Sequence, residues 1–176
     1  MTIKFGPIAV LTLMLSFFTS CHEENSLKTV ESVDLQKYQG KWFEISRFPN
    51  SFEKDLECVT AEYTLKTNGK VKVVNRGKNS KTGKWKESVG TAKVADEDTN
   101  AKLKVSFFWP FYGDYWILKL DEDYRHVLVG APNMDYLWVL SRDSSMSEDD
   151  YQMYVDHAEA LGFDVSRLEK TNWECN

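Results

Sequence analysis

The 176-residue chain has no surplus of positive charge: 22 Lys and Arg stand against 27 Asp and Glu, a formal net charge of −5. Without a basic stripe to neutralise phosphates, nucleic acid is not expected as a partner. Four prolines and nine glycines are too few for a collagen-like or low-complexity chain, and 42% hydrophobic residues are too many for a disordered one. Histidine is scarce. His22, His126 and His157 show no metal-ligand spacing, so no metal is expected. No Gly-x-Ser-x-Gly and no phosphate-cradling Gly-rich loop occurs, and no cofactor is implied. No apolar run reaches the ~18 residues of a spanning helix. The length allows one ordinary domain and makes two unlikely. What is left is one aromatic-rich globular domain with something attached to its front.

That front piece reads as a targeting segment. Lys4 supplies a positive charge, residues 8–18 are an apolar run broken only by Thr12 and Ser16, and the small residues Thr19 and Ser20 precede Cys21. The order positive, apolar, small is that of a secretory signal peptide over residues 1–20. A cysteine at that place resembles the lipobox of bacterial lipoproteins, in which the thiol is acylated, palmitate being one such chain, and the chain is cut before it. Phe18 departs from the aliphatic residue a lipobox prefers, and it suits a plain secretory cut still less. Residues 21–32 are polar, with Glu23 and Glu24 early, and read as a tether to a domain over residues 33–176. The cysteine arithmetic agrees: if Cys21 carries lipid, Cys58 and Cys175 are free to pair in an oxidising compartment.

From Lys41 to Arg142 the hydrophobic period is two. Runs at 41–48 and 58–66, a third begun by Val71 and Val73 after Asn68-Gly69, then 85–94, Leu103 to Phe107, 114–120, 125–129 and 136–141 make eight strands joined by short turns. Eight hairpin-joined strands must hide their edges, and an all-β, up-and-down antiparallel barrel does so. One helix follows. Ser147 is its N-cap, acids fill its first turn, Tyr151, Tyr154, Val155, Ala158 and Leu161 form one apolar stripe, and Gly162 closes it. The stripe is expected on the barrel's outer wall.

Gly40-Lys41-Trp42 at the start of the first strand, with Phe43-Glu44-Ile45 and Arg47-Phe48, resembles the first signature of the lipocalins. Arg142 matches their third signature, and Gly113-Asp114-Tyr115 resembles the middle motif, with Gly113 as a departure. Residues 104–113 and 135–138 are similar to the branch of that family that holds bacterial outer-membrane lipoproteins. The resemblance implies a barrel that binds small apolar molecules and places Trp138 and Tyr112 at aromatic positions lining a fatty-acid and lysophospholipid pocket.

Strand parity adds its own reading. Trp42 plugs the closed end and Arg142 lies on its indole, so Gly40, Trp42 and Arg142 are structural. Trp138, Ala61, Tyr63, Val73, Val105 and Phe107 point inward and form an apolar lining, while Tyr112 sits on the connection before the sixth strand. Glu44 alternates with Trp42 and therefore enters the barrel, either as a satisfied carboxylate or as a selector of a ligand's polar group. The expected function is storage or transport of a single-chain lipid, fatty acid or lysophospholipid, by a protein held by its lipid anchor on the periplasmic side of the outer membrane. A homodimer remains open. Two other readings stand beside it: a lipid-modifying enzyme using the Cys58 thiol, which pairing with Cys175 would disable, and a packed envelope lipoprotein acting through its surface.

Overall fold

The computed structural model describes residues 27–175; the expected signal peptide and Cys21 lie outside the described residues. Alternating apolar and polar residues give each strand one wet and one dry face, and the dry faces close on one another. The strands are β1 (Gly40–Arg47), β2 (Leu56–Leu65), β3 (Val71–Asn79), β4 (Trp85–Val94), β5 (Lys102–Phe108), β6 (Phe111–Leu120), β7 (His126–Gly130) and β8 (Leu137–Ser141). Each pairs antiparallel with the next, and β1 pairs with both β8 and β2, which closes an eight-stranded barrel. One end is built from the β2–β3, β4–β5 and β6–β7 turns. The other, the open rim, carries the residues 48–55 loop and the β3–β4, β5–β6 and β7–β8 turns.

Cross-strand pairs such as Tyr63↔Val73, Val71↔Ala92, Leu103↔Tyr115 and Ile117↔Val129 point inward and join Trp42 and Leu140 in one core. On the outer face of β6 to β8, Leu118, Leu128, Leu137 and Val139 form a second core under α2 (Glu148–Ala160), which contributes Tyr151, Tyr154 and Ala158. Each such large side chain, fully buried, contributes roughly 1.5–3 kcal/mol. The helix starts where Ser147 Oγ accepts from Asp150 N at 3.1 Å and ends before Gly162 at φ +96°.

Three features differ from the sequence reading. A short helix, α1 (Leu35–Tyr38), capped by Asp34, carries Tyr38 into the closed end. A two-residue strand, β9 (Glu169–Lys170), pairs with β1 at Ser46 and Arg47, beyond the last β1–β2 pair at Phe43↔Thr60. Residues 27–32, expected as free tether, are packed: Leu27 is buried in the outer core and Val30 N donates to Ile117 O at 3.0 Å. In addition β6 begins at Phe111, where Phe111 pairs with Phe108 across a tight turn, so Tyr112 lies inside a strand and not on the connection before it.

Cys58 and Cys175, 117 residues apart, form a disulfide with Cα atoms 6.3 Å apart. Beside it Cys58 N donates to Asn172 O at 2.9 Å, which ties the C-terminal tail to β2. A cross-link of this kind typically stabilises by about 2–4 kcal/mol.

Candidate functional site

The barrel interior is built upward from its closed end. Trp42 is fully buried, and its Nε1 donates to Tyr38 O at 2.9 Å. The Arg142 guanidinium lies 3.8 Å from the Trp42 ring centroid and donates to the carbonyls of Lys37, Tyr38, Lys41 and Tyr124 at 2.9–3.2 Å. The cation–π contact is worth about 0.5–2 kcal/mol, and the four carbonyls satisfy the donors that it leaves. Gly40 adopts φ +92° to bring β1 into this corner, and a Cβ there would stand 3.5 Å from Arg142 Nη1. The positive φ is what demands glycine.

Above the plug is a tier of three tyrosines. Tyr115 Oη is 2.7 Å from Tyr38 Oη and 2.8 Å from Tyr63 Oη. Burial pushes all three phenols up, so they stay protonated and serve one another as donors and acceptors. Tyr63 is therefore part of a floor. The hydroxyl chain was not legible in the sequence, because Tyr38 arrives on the unforeseen α1.

Higher still the interior changes character. Ala61, Val105, Phe107 and Trp138 face inward on their strands yet are only part-buried, while Val73 is buried. Their inward neighbours are small: Ser88 pairs with Asn75 and Gly113 pairs with Val105. A Cβ on Gly113 would meet nothing within 4 Å, whereas one on Gly90 would run into Phe107 at 2.8 Å. The lower half of the barrel is filled with side chains, and the space above it is lined by these part-buried apolar side chains together with the polar Asn75 and Ser88.

A charged cluster borders that space. A register shift between Glu44 and Ser46 turns Arg47 to the same side as Glu44, and the two form a buried ion pair. Thr171 Oγ1 donates to Glu44 Oε1 at 2.5 Å. Arg47 also donates to the carbonyls of Glu53 and Leu56, at 3.2 and 3.1 Å, and Trp138 Nε1 donates to Glu53 Oε2 at 3.2 Å. Glu44, 2% exposed, is thus inside the barrel as its parity requires, with protein partners on its carboxylate. Burial, and then the Glu53 carboxylate, push its pKa up to about 7 against the pull of Arg47. Arg47, Glu53 and Thr171 come from a bulge, a loop and the tail, where no periodicity announces an inward side chain.

One expected site residue, Tyr112, stands elsewhere, and Cys58 stands in the pair expected of it. Tyr112 is on the outer face of β6, with Lys93 Nζ 4.7 Å from its ring centroid, and does not border the interior. Cys58 is held in the disulfide, and its sulfur is not a free nucleophile. Outside the barrel, a groove of about 600 Å³ between the β6–β7 turn and α2 is lined by Lys119, Asp121, Glu122, Arg125, His126 and Tyr154 among others. It offers no continuous apolar wall.

The model of the Lipocalin-like domain family matches residues 33–173. Outer membrane lipoprotein Blc of Escherichia coli (strain K12) is 46% identical over 139 residues, 79% of this chain and 78% of that protein. Apolipoprotein D of Macaca fascicularis is 32% identical over 151 residues, 82% of this chain and 79% of that protein. Among solved structures, insecticyanin from the tobacco hornworm Manduca sexta superimposes with a TM-score of 0.70 over 85% of this chain and 87% of that one, at 19% identity, a likeness of fold.

Because Glu44 is raised from 4.5 to about 7, it favours the folded state below pH ~4.5 and this contribution is lost as the pH rises through about 7. The stability of Glu44→Gln relative to the parent should therefore increase as the pH rises across that window. Urea unfolding of both proteins over the window checks this, and a constant difference would assign the pH dependence to other groups.

Proposed function

The chain belongs to the lipocalin family, and from that premise we propose that it binds one single-chain lipid, a long-chain fatty acid or lysophospholipid, in the upper half of its barrel. The observation that carries this reading is the contrast along the barrel axis. Inward-facing Ala61, Val105, Phe107 and Trp138 remain open to water above a floor of Trp42, Tyr38, Tyr63 and Tyr115 that leaves no room. An acyl chain replaces that water, at roughly 0.8 kcal/mol for each methylene buried. The chain lies tail down toward the tyrosine hydroxyls, and its polar group stays near the rim, on the side of Glu44, Arg47 and Glu53. Storage or transport follows from a site that holds its ligand by area and has no nucleophile aimed into it. A barrel packed solid, acting through its surface alone, fits the upper half poorly.

Relatives bearing the name outer membrane lipoprotein support the same location for this chain. The reading that Cys21 is the acylated first residue of the mature protein, anchored on the periplasmic side, is supported by the small residues before it and by the pairing of the other two cysteines. Mass spectrometry of the N-terminal peptide from membrane-purified protein should find acyl chains on Cys21. An unmodified thiol there would remove the anchor from the account.

Trp138→Ala deletes a large wall of the site, and truncations of that size cost a few kcal/mol where the side chain is packed against its partner. Displacement of a fluorescent fatty acid should weaken by tenfold or more, one decade being about 1.4 kcal/mol. Gly113→Phe, whose Cβ would meet nothing within 4 Å, places a ring on the inward face of β6 and should abolish binding while the barrel still folds, as a thermal melt would show. If both variants fold and bind like the parent, the lipid lies elsewhere.

A further inference from the structure

Large apolar side chains exposed to water are unevenly placed on this molecule. Trp109 is 84% exposed, Phe108 80% and Phe111 77%, all at the β5–β6 tip; Trp85 at 49% stands beside the adjacent β3–β4 turn and Phe52 at 57% on the residues 48–55 loop across the mouth. Apart from these and Tyr112 next to Phe111, only Val89 on β4 and Met153 on α2 are of this kind among the described residues. Contiguous exposed apolar surface of this sort marks a surface that is covered in use. Charge on the rim is mixed, with exposed Glu87 and Asp135, but lysines gather beside the aromatic tip. The rim carries exposed Lys54, Lys84 and Lys86, with Lys81 in a surface pair with Asp55. The closed end carries Asp96, Glu97 and Asp98 on one turn, Asp121, Glu122 and Asp123 on a second, and Lys66 and Lys70 on the third. The segment before α1 is held to the barrel wall: Val33 N donates to Thr99 O and Val30 N to Ile117 O, both near the closed end, and Leu27 is buried in the outer core. Only five residues, 22–26, separate Cys21 from the packed Leu27, and this stretch fully extended reaches at most ~21 Å.

We propose that the open rim docks on an anionic phospholipid bilayer, with Phe108, Trp109 and Phe111 entering the interface and the lysines of the β3–β4 turn facing the head groups. Aromatic rings next to cationic side chains are suited to that boundary, where one end is apolar and the other wet. The reach of the tether rests on the reading of Cys21 as the anchor; the aromatic tip and the lysines beside it do not. A barrel set down in this way meets the membrane with the mouth of its lipid site, so that a single-chain lipid passes between bilayer and barrel with little of its tail in water. The acyl anchor then supplies one attachment and the rim a second, which is what durable binding of a singly acylated or weakly held protein requires.

The test uses the mature chain from residue 21 with Cys21→Ser, which keeps every described residue and carries no acyl chain. Vesicles of phosphatidylethanolamine and phosphatidylglycerol should sediment it, and bromine on the lipid acyl chains should quench part of its tryptophan fluorescence. Trp109→Ser with Phe111→Ser should lower the partition coefficient at least tenfold while leaving fatty-acid displacement in vesicle-free solution unchanged, a separate readout of the lipid site. Trp85→Ser, on a different turn, should also weaken vesicle binding, and decides the matter if the double variant does not fold. Failure of the Cys21→Ser protein to bind vesicles, or equal binding by parent and variants, overturns the proposal. So does a homodimer dissociated by these substitutions with no vesicle binding by either form, which would give the rim to a second copy.

Discussion

Arg142 on Trp42 is the contact on which the barrel depends. It joins the end of the last strand to the beginning of the first, and through the carbonyls of Lys37, Tyr38 and Tyr124 it also gathers α1 and the β6–β7 turn. An antiparallel barrel with a closed end must bury backbone carbonyls that no strand partner can reach. One planar cation with five donors serves several of them at once, and its flat face covers the indole below. Lysine, with a single compact charge, could not do both.

The rest of the interior stacks on that plug. The tyrosine tier rests on Trp42, with the Tyr38 and Trp42 ring centroids 5.1 Å apart, and ends in hydroxyls already bonded to one another. Such a floor presents an apolar chain with satisfied polar atoms and little freedom to move. The tail of the molecule seals the seam where β2 leaves β1. There β9 takes up the vacated edge, Trp173 Nε1 donates to Glu44 O at 2.9 Å, Thr171 reaches the Glu44 carboxylate, and the disulfide fastens the end to β2. A buried carboxylate is costly unless paired, and here two carboxylates share one guanidinium. The cost is met by a residue from the bulge and one from the tail.

Much of this was legible in the alternation. Period two located eight strands and turned Trp42, Trp138, Val105 and Glu44 inward, because a strand has only two faces and one must be dry. It failed where the count is broken. The register shift after Glu44 turned Arg47 inward against simple alternation, and the tight Phe108–Phe111 pairing extended β6 and left Tyr112 on the outside. Helix α1 and strand β9, of four and two residues, are too short to carry a period at all. Glu53 comes from a loop, where sequence spacing says nothing of direction. The cysteine count, by contrast, needed no geometry: three cysteines with one expected to be acylated leave one pair, and that pair is bonded. Residues 27–32 were misread because their polarity concealed two apolar side chains, Leu27 and Val30, that fasten them to the two cores.

The central claim is that a filled floor and an upper half lined mainly by apolar side chains divide this barrel, and that one acyl chain occupies the upper half. A crystal of the protein soaked with a fatty acid brominated at its terminal carbon tests it most directly, because the anomalous signal marks where the tail ends. The account predicts a single bromine peak inside the barrel, between Val105 and Trp138 and above the Tyr115 hydroxyl. A peak on the outer surface, or a chain threaded below the tyrosines toward Trp42, would contradict it.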